Sequence, residues 1–385
     1  MKKTLLLIAT LLASYVGMAQ ETYHPTAENL KAREQFQDDK FGIFLHWGLY
    51  SMMGTTEWIM TNRDINYKEY PKLAKTFYPS EFDADAWVKA IKAAGAKYIT
   101  ITTRHHDGFS LFKTATSTYN SVDGTPFKRD IIKEMADACQ RNGIKLHLYY
   151  SHLDWGREDY PVGRTGTGTG RPKEKANWAS YYKFMNTQLT ELLTNYGKVG
   201  AIWFDGWWDH DSDAKPFDWQ LEEQYALIHK LQPQCLVANN HHHTPFPGED
   251  IQIFERDLPG ENKAGLSGQS IGRLPLESCQ TINEHWGYNI TDTLYKSPKE
   301  LIQMLVRAAG KNANLLLNIG PEPGGALPEL ALNRLQAIGE WLNKYGETIY
   351  GTRGGIVTPH EWGVSTQRGN KLYIHILNCM DSSLF

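Results

Sequence analysis

Short apolar runs alternate with longer segments whose apolar residues recur at helical spacing. Phe41 to His46 is an apolar run that predicts a short strand, and Ala84 to Ala94 carries apolar residues at the three-to-four spacing of an amphipathic helix. Lys97 to Thr103, dense in β-branched residues, predicts the next strand. The same couplet then repeats. A helix over Arg129 to Asn142, closed by Gly143, precedes a strand over Ile144 to Ser151. A helix over Trp178 to Tyr196, closed by Gly197, precedes a strand over Val199 to Asp205, and Trp219 to Leu231 precedes Cys235 to Asn239. Further strands are predicted near Asp250 to Glu255 and Ser278 to Ile282, with little helical periodicity between them. Pro298 to Ala309, the strand Ala313 to Ile319 and a last helix over Leu330 to Tyr345 bring the strand count to about eight.

This order of elements is the βαβ rhythm of a parallel sheet. The fold class expected is α/β, an irregular (β/α)8 TIM-like barrel over residues 20–350, with helices missing or reduced beside the fifth to seventh strands. A length of 385 residues suits such a barrel with a small addition. From Ile356 the pattern changes to short alternating runs such as Lys371 to Ile376, which predicts an antiparallel domain beginning within residues 351–385.

Residues 1–19 read as a cleavable export leader: Lys2 and Lys3, an apolar stretch from Leu5 to Val16, then Gly17-Met18-Ala19. The stretch is shorter than a bilayer-spanning helix, so the chain is expected to be exported to the periplasm or beyond without membrane insertion. Net charge is −3, which gives no electrostatic reason to expect a nucleic-acid partner. Cys139, Cys235, Cys279 and Cys379 are irregularly spaced and are expected to be buried thiols rather than disulfides. Aromatic residues are 12% of the chain, with 12 Trp and 20 Tyr, enough to line a cleft with stacking surfaces. The Thr/Gly alternation from Gly163 to Gly170 predicts a flexible surface loop after the third strand.

Chemistry concentrates where the strands end. In parallel barrels the C-terminal strand ends share one mouth, and a carboxylate there is placed for catalysis. Ala201-Ile202-Trp203-Phe204-Asp205-Gly206 stops abruptly at such a carboxylate. His46 ends the first strand, His105 and His106 follow the second, Tyr149 ends the third, Asn239 to His243 follow the fifth, and Glu255 ends the sixth. The many imidazoles raise a metal site as an alternative. The adjacent histidines lack the i, i+4 helical spacing that puts two ligands on one face, so no metal and no cofactor is expected.

The sequence resembles the family 29 α-L-fucosidases. The resemblance is carried by Lys40-Phe41-Gly42-Ile43-Phe44-Leu45-His46-Trp47-Gly48, Glu57-Trp58, His105-His106-Asp107-Gly108-Phe109, Tyr149-Tyr150-Ser151, Trp203-Phe204-Asp205-Gly206, Trp286-Gly287-Tyr288-Asn289 and Leu315-Leu316-Leu317-Asn318-Ile319-Gly320-Pro321, in family order. It implies a barrel followed by a β-sandwich, here only begun, and hydrolysis of terminal α-L-fucosyl groups from fucosylated glycans with retention of configuration. It implies Asp205 as nucleophile, with His46, Glu57, Trp58, His105, His106, Tyr149 and Trp203 holding the fucose and Trp286 near its methyl group. For the acid/base, Asp250-Ile251-Gln252-Ile253-Phe254-Glu255 fits one subgroup pattern and points to Glu255. Glu277 is the rival, with Glu249 and Glu261 behind it. Phe254 and Trp286 are the expected apolar neighbours of Glu255. Some members carry Asn-Asp-Arg where this chain has Asn239-Asn240-His241. Two other functions share the inventory: a retaining barrel glycosidase for another sugar, such as an α-galactosidase, and a non-catalytic carbohydrate-binding barrel. The second predicts substituted strand-tip carboxylates, yet Asp205 and Glu255 are both present.

Overall fold

The computed structural model describes residues 23–379, so the leader expected over residues 1–19 lies outside the described residues. Eight strands run β1 (Phe41–Leu45), β2 (Tyr98–Arg104), β3 (Lys145–Ser151), β4 (Ala201–Asp205), β5 (Leu236–Asn240), β6 (Gln252–Glu255), β7 (Leu276–Thr281) and β8 (Ala313–Ile319). All laddered neighbours are parallel, in the order β5-β4-β3-β2-β1-β8-β7-β6. The helices are α1 (Ala27–Asp39), the single-turn α2 (Ile59–Asn62), α3 (Ala84–Ala93), α4 (Ile131–Asn142), α5 (Trp178–Asn195), α6 (Leu221–Leu231), α7 (Pro298–Gly310) and α8 (Glu329–Tyr345). Side-chain caps start several of them: Asp83, Asp130 and Asn177 each accept a backbone N–H of the first turn, and Ser297 forms a capping box with Glu300.

The irregularity expected on one side is present. No helix connects β5 to β6 or β6 to β7, and β5 and β6 share no ladder. One parallel bridge, Ala238 to Ile251, closes the barrel there. Asp250 fastens it: its N–H donates to Val237 O (2.7 Å) and its Oδ2 accepts the Val237 N–H (2.7 Å). A carboxylate thus stands in for a missing strand partner. Arg33 of α1 and His229 of α6 hold the same carboxylate.

Helix α1, which the sequence pattern did not predict, covers the N-terminal mouth. Its Phe36 enters the barrel interior and packs in one cluster with Phe44, Tyr98, Tyr149 and Trp203. After α8, β9 (Arg353–Gly354), β10 (Gly363–Arg368) and β11 (Lys371–Ile376) form an antiparallel sheet in the order β11-β10-β9. Gly310 ends α7 where a Cβ would come within 2.5 Å of Val364 of β10, so this close approach requires glycine. Cys139, Cys235 and Cys279 are buried thiols, whereas Cys379 is exposed, contrary to expectation.

Behind the second and third strand ends, Arg104 and Asp154 form an ion pair with both side chains fully buried. Arg104 also donates to Ser151 O (2.9 Å) and to the Tyr181 hydroxyl (2.6 Å). Removing one partner strands a charge in a low-dielectric interior. Asp154→Ala is therefore expected to lower stability by about 3–5 kcal/mol. Urea unfolding would read this as a lower midpoint at unchanged slope.

Candidate active site

A cavity of about 210 Å³ opens at the C-terminal strand ends. It falls below the roughly 300–1,000 Å³ of drug-sized pockets, a scale for one sugar ring rather than a chain. The ten residues named from the sequence as His46, Glu57, Trp58, His105, His106, Tyr149, Trp203, Asp205, Glu255 and Trp286 all line it. Arg164, Trp208, Asn240, His242, Leu266 and Cys279 line it too and were not singled out individually.

Asp205 ends β4 where Gly206 takes φ 93°, a backbone open to glycine, and turns its own N–H back onto Asp205 Oδ1 (2.8 Å). Oδ1 also accepts from Trp208 Nε1 (3.0 Å), and Oδ2 accepts from the Tyr149 hydroxyl (2.9 Å). Glu255 ends β6, and its Oε2 accepts from Asn240 Nδ2 (2.8 Å) and faces His242 Nε2 at 2.9 Å. The Asn240 amide lies 3.4 Å from Asp205 Oδ1 as well. Its two legs together cap the separation of those carboxylate oxygens at about 6.2 Å. That falls short of the roughly 6.5–9.5 Å that an inverting pair leaves for a water, and is compatible with the roughly 5–5.5 Å of a retaining pair.

Burial, then the charge of Glu255, pushes Asp205 up to about 6, against the pull of Trp208, Tyr149 and His242. Burial acts upward on Glu255 too, but His242, Asn240 and Arg256 outweigh it and hold Glu255 below its usual value. The two titrate as a pair, so a proton placed on Glu255 removes one cause of the raised Asp205 value.

His46, His105 and His106 are hydrogen-bonding groups whose neutral form burial favours. Burial lowers His46 to about 4 and takes His105 and His106 well below the usual histidine range. Ser151 Oγ donates to Leu153 O (2.6 Å) and so accepts from His106 Nδ1 (2.7 Å), which leaves His106 Nε2 an acceptor, 3.5 Å from Asp205. Asn318 donates to Trp286 O and accepts from His46 Nδ1 (2.6 Å), which leaves His46 Nε2 an acceptor too. Glu57 accepts the Gly287 N–H (2.9 Å). Apolar walls come from Trp58 stacked on Trp208, with centroids 5.5 Å apart, and from Trp286 beside His46 and Phe44.

Three carboxylates considered from the sequence stand elsewhere. Glu277 lies inside the barrel, accepting from Tyr98 (2.6 Å) and Trp203 Nε1 (2.9 Å), and burial raises it to about 7. Glu249 holds His241 and Tyr225, and Glu261 pairs with Lys311 and Lys263. Phe254 does not neighbour Glu255 as expected. Strand alternation turns it to the other face, against Leu276 and Ala313. Nor is the Gly163–Gly170 segment a loose loop: Thr165 donates twice to Asp209, Gly166 donates to Thr61, and Thr169 is buried. It carries Arg164 to the cavity rim, where the guanidinium lies 5.1 Å from the Trp208 ring and pairs with Asp211.

Among the described residues no group of three or more His, Cys, Asp or Glu is arranged to hold a metal ion. His46 and His106 each commit one ring nitrogen to a protein partner. Any glycosidase activity is therefore expected to survive exhaustive chelation. A stoichiometric metal whose removal abolishes turnover would overturn this.

The sequence profile of the alpha-L-fucosidase family matches residues 10–347. The chain is 31% identical over 406 residues to the plasma alpha-L-fucosidase of Rattus norvegicus, covering 96% of this chain and 82% of that one. It is similar in structure to alpha-L-fucosidase isoenzyme 1 from Paenibacillus thiaminolyticus, with TM-score 0.81, 37% identity, and 91% and 84% of the two chains covered. It is also similar to alpha-L-fucosidase AlfC from Lactobacillus casei in complex with alpha-L-fucose product, with TM-score 0.71, 28% identity and coverage of 82% and 99%. With these matches and a barrel whose strand ends carry the paired carboxylates, the chain belongs to the alpha-L-fucosidase family.

Proposed function

We propose that this chain is an exo-acting α-L-fucosidase that hydrolyses terminal α-L-fucosyl groups by double displacement, with Asp205 as nucleophile and Glu255 as acid/base. The observation that carries this reading is the Asn240 amide shared between two carboxylates in a cavity the size of one sugar. In the first step Asp205 Oδ attacks the anomeric carbon while Glu255 gives its proton to the leaving glycosidic oxygen, leaving a glycosyl ester. In the second, ionised Glu255 takes a proton from water, the water oxygen attacks the anomeric carbon, and the ester bond breaks to free Asp205. Oε2 of Glu255 is already committed to Asn240 and His242, so the transferred proton belongs on Oε1.

The acceptor nitrogens of His46 and His106, with Glu57, suit neutral hydroxyls, while Trp286, Phe44 and Leu266 offer the apolar wall a 6-deoxy sugar's methyl needs. The reading includes export, on the strength of the Lys2-Lys3 start and apolar run before Ala19. Hydrolysis of 4-nitrophenyl α-L-fucoside is expected, with little turnover of the α-galactoside. Proton NMR of early product should show the α anomer before mutarotation. A β anomer appearing first would overturn double displacement, and preference for the galactoside would reassign the sugar.

A further inference from the structure

We propose that His242 is a positioning residue for Glu255: its hydrogen bond orients the acid/base, and its charge sets the pH above which Glu255 no longer serves as an acid. The inference rests on the function proposed above and adds a residue to it. His242 follows β5 with φ 65°, in the left-handed region that a side chain adopts only when its surroundings impose it. Here they do. The His241 ring is clamped on Glu249 (2.9 and 3.1 Å), Glu249 is held by Tyr225 (3.0 Å), and His241 Nδ1 accepts the His243 N–H (3.0 Å). Both neighbours of His242 are thereby fixed, and the strained residue between them is aimed across the β5–β6 seam at Glu255 Oε2.

The groups facing this pair are few. Asp205 stands on β4, Arg256 follows Glu255 just past the end of β6, Cys279 lies beside it on β7, and His46 faces it from just past the end of β1. On its own loop His242 neighbours His241 and His243, and Asp211 faces His243 from beyond β4. Arg164 reaches the same cavity. Among the donors to Glu255, Asn240 carries no charge and only the imidazole can change its own. A cationic His242 favours the Glu255 carboxylate needed as base in the second step, and a neutral one lets the carboxylic acid needed in the first persist to higher pH.

The test is the pH profile of kcat/KM on an aryl α-L-fucoside, whose basic limb reports loss of the acid's proton in the free enzyme. His242→Asn accepts the left-handed backbone, is too short to bond Glu255 and carries no charge. It should move the basic limb up by about 1 pH unit. His242→Lys, with a permanent cation, should move it down. Opposite displacements are what a merely structural residue would not give. Limbs that stay in place or move together in both folded variants would overturn the inference while leaving the fucosidase reading intact. Absence of fucoside hydrolysis by the unaltered protein would overturn both.

Discussion

Replacing Asp205 by glycine is expected to lower turnover of an aryl fucoside by roughly 10⁴-fold or more, since no other group at the β4 tip can form the glycosyl ester. The nearest alternatives are engaged: Asp209 accepts from Tyr160 and Thr165, Asp211 pairs with Arg164, and Asp213 pairs with His210. The variant should remain folded. Burial and the charge of Glu255 push Asp205 up from 3.8 to about 6, so its ionised form costs stability above the folded value and costs nothing below the unfolded one. Removing it relieves that cost at neutral pH, which offsets the hydrogen bonds lost with it. Sodium azide should enter the vacated position and attack the anomeric carbon once, giving β-fucosyl azide, the inverted product. Near wild-type rates without azide would move the nucleophile elsewhere.

Glu255→Ala should separate two roles of one residue. Substrates with poor leaving groups need the proton, so their first step should slow by about 10² to 10⁴-fold. An activated aryl fucoside leaves without help, so its first step should suffer little while deglycosylation, lacking its base, becomes limiting. Azide should then accelerate the second step and give α-fucosyl azide, the opposite anomer from the Asp205 variant. Glu277→Ala is the control. A buried residue that only holds Tyr98 and Trp203 should slow both leaving-group classes alike and show no azide rescue. If Glu277→Ala gave the leaving-group dependence instead, the acid/base would be Glu277.

The barrel was legible because its strands are buried on both faces and its helices on one, so each leaves a different apolar period. Ala313–Ile319 was read to the residue, and the caps at Asp83, Asp130 and Ser297 stand where the helical period begins. Helix α1 was missed because only Asn29 and Phe36 are buried along it and polar contacts do much of its packing, so no apolar stripe exists to be read. At the site, strand tips locate β4 and β6 carboxylates, since register puts them at one mouth. Loop partners carry no such periodicity. Asn240 and His242 lay within a polar cluster already noted, yet nothing in the sequence separates His242 from the histidines on either side. Trp208 had a signal, a tryptophan pair directly after the turn at Gly206. Arg164 had none, since the Thr/Gly composition around it reads as loop while its actual order comes from Asp209 and Thr61.

The single bridge between β5 and β6 gives the reaction centre a mechanical asymmetry. Asp205 belongs to a strand stitched to neighbours on both sides, whereas Glu255 belongs to one stitched fully only to β7. The seam is pinned at its lower end by Asp250 and at its upper end by the bonds of Asn240 and His242 to Glu255 itself. Under the proposed assignment, Glu255 is a fastener as well as a proton donor. Each time it changes protonation during a turnover, it alters the upper pin of the joint that fixes its reach to the nucleophile.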